Sequence, residues 1–452
     1  MYRTPLVSSL HRTSLISLLL LTFLPLLAAG APPAPTYGEW RSSRFGGGGY
    51  MLDVAIAPAR PEVWQVACDV GGVFRTENSG ISWRMIHNTL PPRPGNYCIR
   101  SLSVPDENPN ELLIAAGSQW FEPEGVYRTT DAGRSWQAVL RAPFYGNEDN
   151  RWSGRLFARA PGTSSLVLVA PQGAGIFRSE NSGVTWQPLG LEGVNFTDLK
   201  FDPHQPRTVW AGATPYTPYN KPALRGGLWR SDDLGATWRQ LIADRGPTEL
   251  HPHPERADLL LGLFEDRRLR LSRDKGETWG NFSEGLPTAA VEDPYMSAAR
   301  FQALTAVAGG WLLGNNEGSY FRRSHQDNVW TAQPRPQINQ GDWYGREELN
   351  RNWSKFGRAM ASIREVPGRP GELISTDWFG LYHSTDNGRS WTLRIEGIEG
   401  TVHHAFCQDP TEPGLVHGGM ADLGYVTSTD GGASFARSRT ANINQRCPTF
   451  ES

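Results

Sequence analysis

An all-β propeller of four-stranded antiparallel blades, seven or eight in number, is the fold class this sequence predicts, and three observations predict it. A segment of the form Ser/Thr-x-Asp/Asn-x-Gly-x-Ser/Thr-Trp/Phe returns along the chain, ending at Trp83, Trp136, Trp186, Trp238, Trp279, Trp391 and Phe435, with a degraded copy ending at Trp330. These aromatic residues lie 41 to 61 positions apart, the spacing of one repeated supersecondary unit. Between them run short apolar segments punctuated by turn formers drawn from 49 glycines and 34 prolines, and helical periodicity is scarce beyond the leader.

Each unit spells four strands. In the first they are expected at 53–56, 63–66, 72–75 and 82–85; the second repeats them at 112–116, 125–129 and 135–139. Four-stranded sheets repeated around an axis make a propeller. The recurring segment is the hairpin turn between third and fourth strands. Its Asp or Asn bonds to nearby backbone, its Gly accepts positive φ, and its hydroxyl residues satisfy further backbone groups. The closing aromatic packs between sheets. This is the Asp-box signature, and its acids have a structural duty, not a catalytic one. The blade count depends on whether residues 37–43 close the last sheet as an added strand.

The bulk properties narrow the class. The chain has 452 residues and a formal net charge of −2 with scattered Lys and Arg, so nucleic acid is not an expected partner. Arg3, His11 and Arg12 precede an apolar run at 15–27 and the small residues Ala28, Ala29, Gly30 and Ala31. That is a secretory leader, shorter than the ~20 residues a spanning helix needs. We therefore expect a signal peptide at 1–30, a propeller of eight sheet units at 31–452, a secreted or periplasmic location, and no membrane association after cleavage. Cys68, Cys98, Cys407 and Cys447 allow three disulfide pairings, of which 68–98 and 407–447 are the local ones. No zinc pattern is present, and neither cofactor nor metal is expected.

Strand direction sorts the loops onto two faces. The turn face is uniformly short-looped, as at 58–62, 161–165, 203–207 and 367–372. The opposite face carries every long insertion: 117–125, 141–154, 212–227, 283–300 and 335–360. Function tends to reside in variable loops on a rigid scaffold. The insertions hold Trp120, Phe121, Phe144, Tyr145, Trp152, Tyr216, Tyr219, Tyr295, Trp343, Tyr344 and Trp353. Exposed aromatics beside carboxylates and amides suit stacking on sugar rings. The candidate substrate-binding residues are Trp120, Trp152, Tyr216, Trp343, Tyr344, Trp353 and Trp378. One acid also recurs after the second strand of units one, seven and eight, as Asp69, Asp377 and Asp422. Asp before Gly is also ordinary turn chemistry.

Around these acids the chain resembles a family. Gly46-Gly47-Gly48-Gly49-Tyr50-Met51 followed by Asp69-Val70-Gly71-Gly72-Val73-Phe74-Arg75 is similar to the start of the xyloglucanases of glycoside hydrolase family 74. Cys68 stands where that family has Thr. Gly397-Ile398-Glu399-Gly400-Thr401-Val402 and Ala421-Asp422-Leu423-Gly424-Tyr425 resemble a second family segment, with Ala421 and Tyr425 replacing glycines. The resemblance implies that Asp69 is the general base and Asp422 the general acid. Those enzymes look like two seven-bladed propellers facing one another across a glucan cleft, base on the first and acid on the second. This chain corresponds to the first half of such an arrangement.

An inverting glycosidase holds its two carboxyl groups about 6.5–9.5 Å apart. A closed ring of eight units makes units eight and one neighbours and so brings Asp422 to Asp69, with Asp377 as a supporting acid. The expected function is hydrolysis of a β-glucan of xyloglucan type by inversion. The alternative is a non-catalytic secreted propeller that binds polysaccharide or protein through the same loops, since one fold hosts many functions. Sialidase chemistry fits less well, because the Arg-Ile-Pro expected near the N-terminus is absent. Photosystem-assembly and sortilin-type propellers share the turn segment only.

Overall fold

The computed structural model describes residues 49–437 apart from 123, 149–153, 289–300, 308, 317, 335–336, 340–359, 379, 399, 401–402, 421–423 and 434. The leader, residues 37–43, Asp422, Trp152, Trp343, Tyr344, Trp353 and Cys447 lie outside the described residues. Eight antiparallel sheets follow one another in chain order. The first consists of Met51–Ile56, Trp64–Cys68, Gly72–Thr76 and Arg84–Met85. Its fourth strand is shorter than expected because Ser82 and Trp83 are drawn elsewhere. Ser82 N donates to Asn78 Oδ1 at 3.0 Å and Trp83 N to Glu396 O at 2.7 Å. The seventh sheet is Ser362–Glu365, Leu373–Thr376, Leu381–Ser384 and Ser390–Leu393, and Gln337–Asn339 adds a fifth strand parallel to its last. Among the described residues there is no α-helix, only a 3-10 turn at Pro94–Tyr97, and no helix long and apolar enough to cross a membrane.

The ring closes on seven blades. The inner strand of blade one, Met51–Ile56, packs on the two inner strands of blade seven. Met51 N donates to Asp377 O at 3.1 Å. One apolar cluster joins Met51, Val54, Trp64 and Phe74 of blade one to Ile374, Leu381 and Ile395 around blade seven. The tryptophans report the same closure. Trp136 Nε1 donates back to Ile86 O of the preceding blade, Trp330 Nε1 to Phe282 O, and Trp83 Nε1 to Arg394 O of blade seven. Blade one thus treats blade seven as its predecessor. Of the seven or eight blades expected, seven close the ring. The eighth sheet, His403–Gln408, Val416–Met420, Gly424–Ser428 and Ala436–Arg437, does not stand between blades seven and one. Ring closure thus brings blade seven, and not the eighth sheet, against blade one.

The repeated turns carry the expected bonds. In blade two, Gly133 N reaches Thr129 Oγ1 at 3.0 Å, while Ser135 N and Oγ both bond Asp131. The Ser135 hydroxyl and N–H hold the Asp131 carboxyl down to about 2, so it is an ionised acceptor fixed in its turn. The residue before each glycine is also left-handed, as in Ser79 (φ 55), Ala132 (φ 60) and Leu234 (φ 64). Side-chain bonding from the Asp compensates for that unfavourable region.

The inner strands face the axis with one unpaired edge, whose N–H groups need acceptors. A bulge recurs at the second residue of these strands in blades one, two, four, five and six. The residue just past it is Asp53, Ser101, Asp198, Glu249 or Ala303. Three of these act as latches to the next blade. Asp53 Oδ2 accepts Leu102 N at 3.2 Å, Ser101 Oγ accepts Leu156 N at 3.3 Å, and Asp198 Oδ2 accepts Leu250 N at 2.7 Å. Cations complete the belt. Arg155 Nε pairs with Asp53 at 2.8 Å, Lys200 with Asp198 at 2.7 Å, and Arg364 approaches Asp53 at 3.9 Å.

Two axial groups predict a pH dependence of stability. Burial pushes the Glu249 carboxyl up to about 8 from 4.5, and burial together with the Lys200 charge pushes His251 down to about 3 from 6.5. The two side chains share a hydrogen bond of 3.1 Å. Stability from neutral Glu249 is lost as pH rises from 4.5 through 8, because the unfolded carboxyl has already released its proton. Stability from neutral His251 is lost as pH falls from 6.5 toward 3. Between 4.5 and 6.5 the slopes oppose one another. From 6.5 to 8 only Glu249 acts, and these 1.5 units correspond to a fall of about 2 kcal/mol. Urea midpoints measured across that window should decline in the wild type and stay level in Glu249→Gln.

Cys68 and Cys98 are not joined to one another, and Cys447, the local partner expected for Cys407, lies outside the described residues. Cys68 and Cys98 are buried thiols and Cys407 is a half-buried one. Cys68 Sγ accepts Gly71 N–H at 3.2 Å, and Cys98 Sγ points to Pro94 O at 3.9 Å.

Candidate functional site

The long-loop face presents two polar and aromatic patches. The first gathers where blades six, seven and one meet. Asp69 sits in the turn after Trp64–Cys68 and is 4 % exposed. Its Oδ1 accepts Tyr50 N at 2.7 Å while its own N–H donates to Tyr50 O at 3.0 Å. This reciprocal pair fixes the carboxylate against the segment entering the inner strand. The entry is tight. Gly49 has φ +72, and a Cβ there would meet Cys68 Sγ at 2.4 Å. Glycine at this one position lets the chain pass the sulfur and deliver Tyr50 to Asp69. Burial, and secondarily the Asp69 charge, raises the Cys68 thiol well above its ordinary range, so it remains a neutral wall of the turn.

Tyr50 organises the rest of this patch. Its ring packs on Trp378 with centroids 5.6 Å apart, and its hydroxyl donates to Gln302 Oε1 at 3.1 Å. Asp377 occupies the matching turn of blade seven, and its Oδ1 accepts Gly380 N at 2.7 Å. That bond is ordinary turn closure. Burial, with the Asp377 charge adding to it, lifts the Tyr320 hydroxyl well above its usual value. Tyr320 thus stays a neutral donor, 3.2 Å from Ser375 Oγ. The structure therefore brings Asp69, Asp377 and Trp378 together.

The second patch spans blades two to four. Trp120 and Tyr219, 57 % and 61 % exposed, pack with their rings tilted by 38° and centroids 5.0 Å apart, and Phe121 beside Trp120 is 43 % exposed. Exposed large aromatics are unusual on a folded surface and mark recognition sites when clustered. Their scaffold is polar. Buried Glu148 accepts Ser118 Oγ at 2.6 Å and Gln119 N at 2.8 Å, and Gln119 Oε1 accepts Tyr219 N at 2.8 Å. Tyr216 packs on Tyr145 at 6.0 Å, with Lys221 over the Tyr145 ring. Trp120 and Tyr216 thus each belong to an aromatic pair on this face. Tyr50, Gln302 and Glu148 were not foreseen as site residues. Tyr50 was traceable through its place directly after the glycine run; Gln302 and Glu148 gave no local signal.

The chain leaves blade seven through Ile395 and Ile398 and passes directly over the Asp69 turn. A Cβ on Gly71 would stand 3.0 Å from Gly400 Cα, and one on Gly49 would stand 3.2 Å from Gly400 O. The eighth sheet begins at His403, three positions after Gly400.

Fold and site together define a seven-bladed β-propeller with a carboxylate-bearing, aromatic-rich mouth. The chain is a xyloglucanase-like propeller, resembling glycoside hydrolase family 74. It is 27 % identical over 255 residues to a xyloglucanase of Acetivibrio thermocellus, covering 51 % of this chain and 30 % of that protein. It is 24 % identical over 223 residues to a probable oligoxyloglucan-reducing end-specific xyloglucanase of Neosartorya fischeri, covering 47 % and 26 %. The matches thus span about a third or less of those relatives' lengths. The family 74 xyloglucanase of Xanthomonas campestris shares the fold with a TM-score of 0.71 at 16 % identity, over 88 % of this chain and 68 % of that one. YCF48 bound to D1 peptide shares it at 0.51 and 16 % identity, over 79 % and 99 %. No protein-family model matches the chain.

Proposed function

We propose that the protein is a secreted glycoside hydrolase acting on xyloglucan-type β-glucan by inversion. Asp69 activates the attacking water and Asp422 protonates the departing glycosidic oxygen. The observation that carries this reading is the path of the chain over the Asp69 turn at Gly400, three positions before the Asp422-bearing sheet begins. Catalysis then requires the Asp422 carboxyl to reach the sugar from the eighth sheet while Asp69 acts from the ring. Inversion needs room between them for a water and the sugar, about 6.5–9.5 Å. Asp377, committed to Gly380, shapes the pocket wall next to Trp378. Similarity to xyloglucanases of two organisms supports the substrate class.

The test is reducing-sugar release from xyloglucan and from mixed-linkage glucan, with the stereochemistry of the new chain end followed by NMR. Release of the α-anomer from a β-glucan supports the reading. Retention of configuration, or binding with no release, overturns it, and the latter selects a non-catalytic binding propeller. The same assay checks the aromatic patch. Trp120→Ala and Tyr219→Ala should each raise KM about three- to tenfold with kcat little changed, as expected from loss of one stacking contact worth about 0.5–1.5 kcal/mol.

A further inference from the structure

The axial belt contains more positive charge than its latching role requires. Arg100, Arg155, Lys200 and Arg364 are all within electrostatic reach of the acids Asp53, Asp198 and Glu249. Arg155 takes the short contact to Asp53 and also donates to Val54 O. Lys200 takes Asp198, whose other oxygen serves Leu250 N. Arg364 is left with a 3.9 Å approach to Asp53, a 3.4 Å bond to its own Ile363 O, and a buried Nε without an acceptor. A guanidinium offers five donors, so this one is largely unsatisfied. Arg155 and Lys200 point their charges into the same region: after burial, Arg364 and Arg155 lower Lys200, and after burial Arg155 lowers Arg364.

These cations line space. Burial is the largest influence on Lys200 and Arg364, yet side-chain accessibility remains 29 % at Arg155, 23 % at Lys200 and 21 % at Arg364. Deep position with retained accessibility describes the wall of a narrow axial passage. Glu249 does little to balance the charge, because burial favours its neutral form near pH 7. Asp53 and Asp198 are then the acids left to answer Arg155, Lys200 and Arg364, and an unpaired cation held in a low-dielectric surround is costly.

We propose that the axial passage is a binding site for a small inorganic anion, a halide or a tetrahedral oxyanion, held between Arg364, Arg155 and Lys200. The anion supplies the acceptor that Arg364 Nε needs and offsets repulsion among the cations. It stabilises the ring from the axis and is independent of the glucan-processing mouth.

The experiment follows thermal unfolding of the full chain at pH 7 and constant ionic strength. Chloride, phosphate and sulfate are each titrated against a bulky sulfonate salt. The expected result is a saturable rise of several degrees reached at millimolar concentration with at least one of these ions. A spherical-ion site answers to chloride, an oxyanion site to phosphate or sulfate. Arg364→Gln should weaken the apparent affinity at least tenfold. Should that variant not fold, crystals of the wild type soaked in bromide or selenate give the decision: an anomalous peak within hydrogen-bond distance of Arg364 is expected. A rise that never saturates and is equal in wild type and variant, or the absence of any anomalous peak beside Arg364, overturns the proposal.

Discussion

Asp69→Asn should lower xyloglucan hydrolysis by about 10²–10⁴-fold while leaving polysaccharide binding intact. The amide is nearly isosteric with the carboxylate, and its oxygen can continue to accept Tyr50 N, so the turn and the ring closure around it persist. What is lost is the capacity to take a proton from water. Asp422→Asn should give a loss of similar size on the polysaccharide, with one difference. On a substrate whose leaving group needs no protonation, such as an activated aryl glycoside, the Asp422 variant should recover most of its activity and the Asp69 variant should not. Asp377→Asn should retain most activity, since the carbonyl oxygen of an amide can still hold Gly380 N. Full activity in Asp69→Asn, measured on purified and correctly folded protein, would sink the assignment of the base.

Much of this architecture is legible in the chain because its signals are local. The turn at Thr129–Ser135 is written by three side chains and a glycine within seven residues, and each makes the bond its chemistry dictates. Strand positions follow, since a turn on one side and a short loop on the other leave little freedom of register. The site was legible only where it shared those local signals. Asp69 and Asp377 stand in turns of the same kind, and Trp120 and Tyr216 in loops whose length betrayed them. What escaped was everything decided by closure. Whether blade one meets unit seven or unit eight rests on contacts between Met51 and Asp377 and between Trp83 and Arg394, residues more than 300 positions apart. No periodicity carries that information, because every unit offers the same apolar faces. Glu148 and Gln302 escaped for a related reason: each serves a partner on a different segment, and neither belongs to a repeated position.

The axial latches explain why closure is specific once it begins, and they lead to the largest expected effect on stability. Asp198 is wholly buried and serves three blades at once. It accepts Arg155 N of blade three at 2.7 Å, Leu250 N of blade five at 2.7 Å and Lys200 Nζ of its own strand at 2.7 Å. Asp198→Ala strands a buried cation and two backbone donors, and removal of one member of a buried pair costs about 3–5 kcal/mol. A useful control is Asp233→Ala, which removes the same functional group from an exposed hairpin turn bonded to Thr237 and should cost about 1 kcal/mol. The two should also differ in where the protein opens. Loss of Asp233 should raise amide exchange only around its own hairpin. Loss of Asp198 should raise it in the inner strands Phe157–Ala160 and Pro247–Pro252 on either side, because the latch acts between blades and not within one. Equal destabilisation by both substitutions, or exchange confined to Phe196–Phe201 in the Asp198 variant, would show that blades hold together through their apolar faces alone and that the axial carboxylates are passengers.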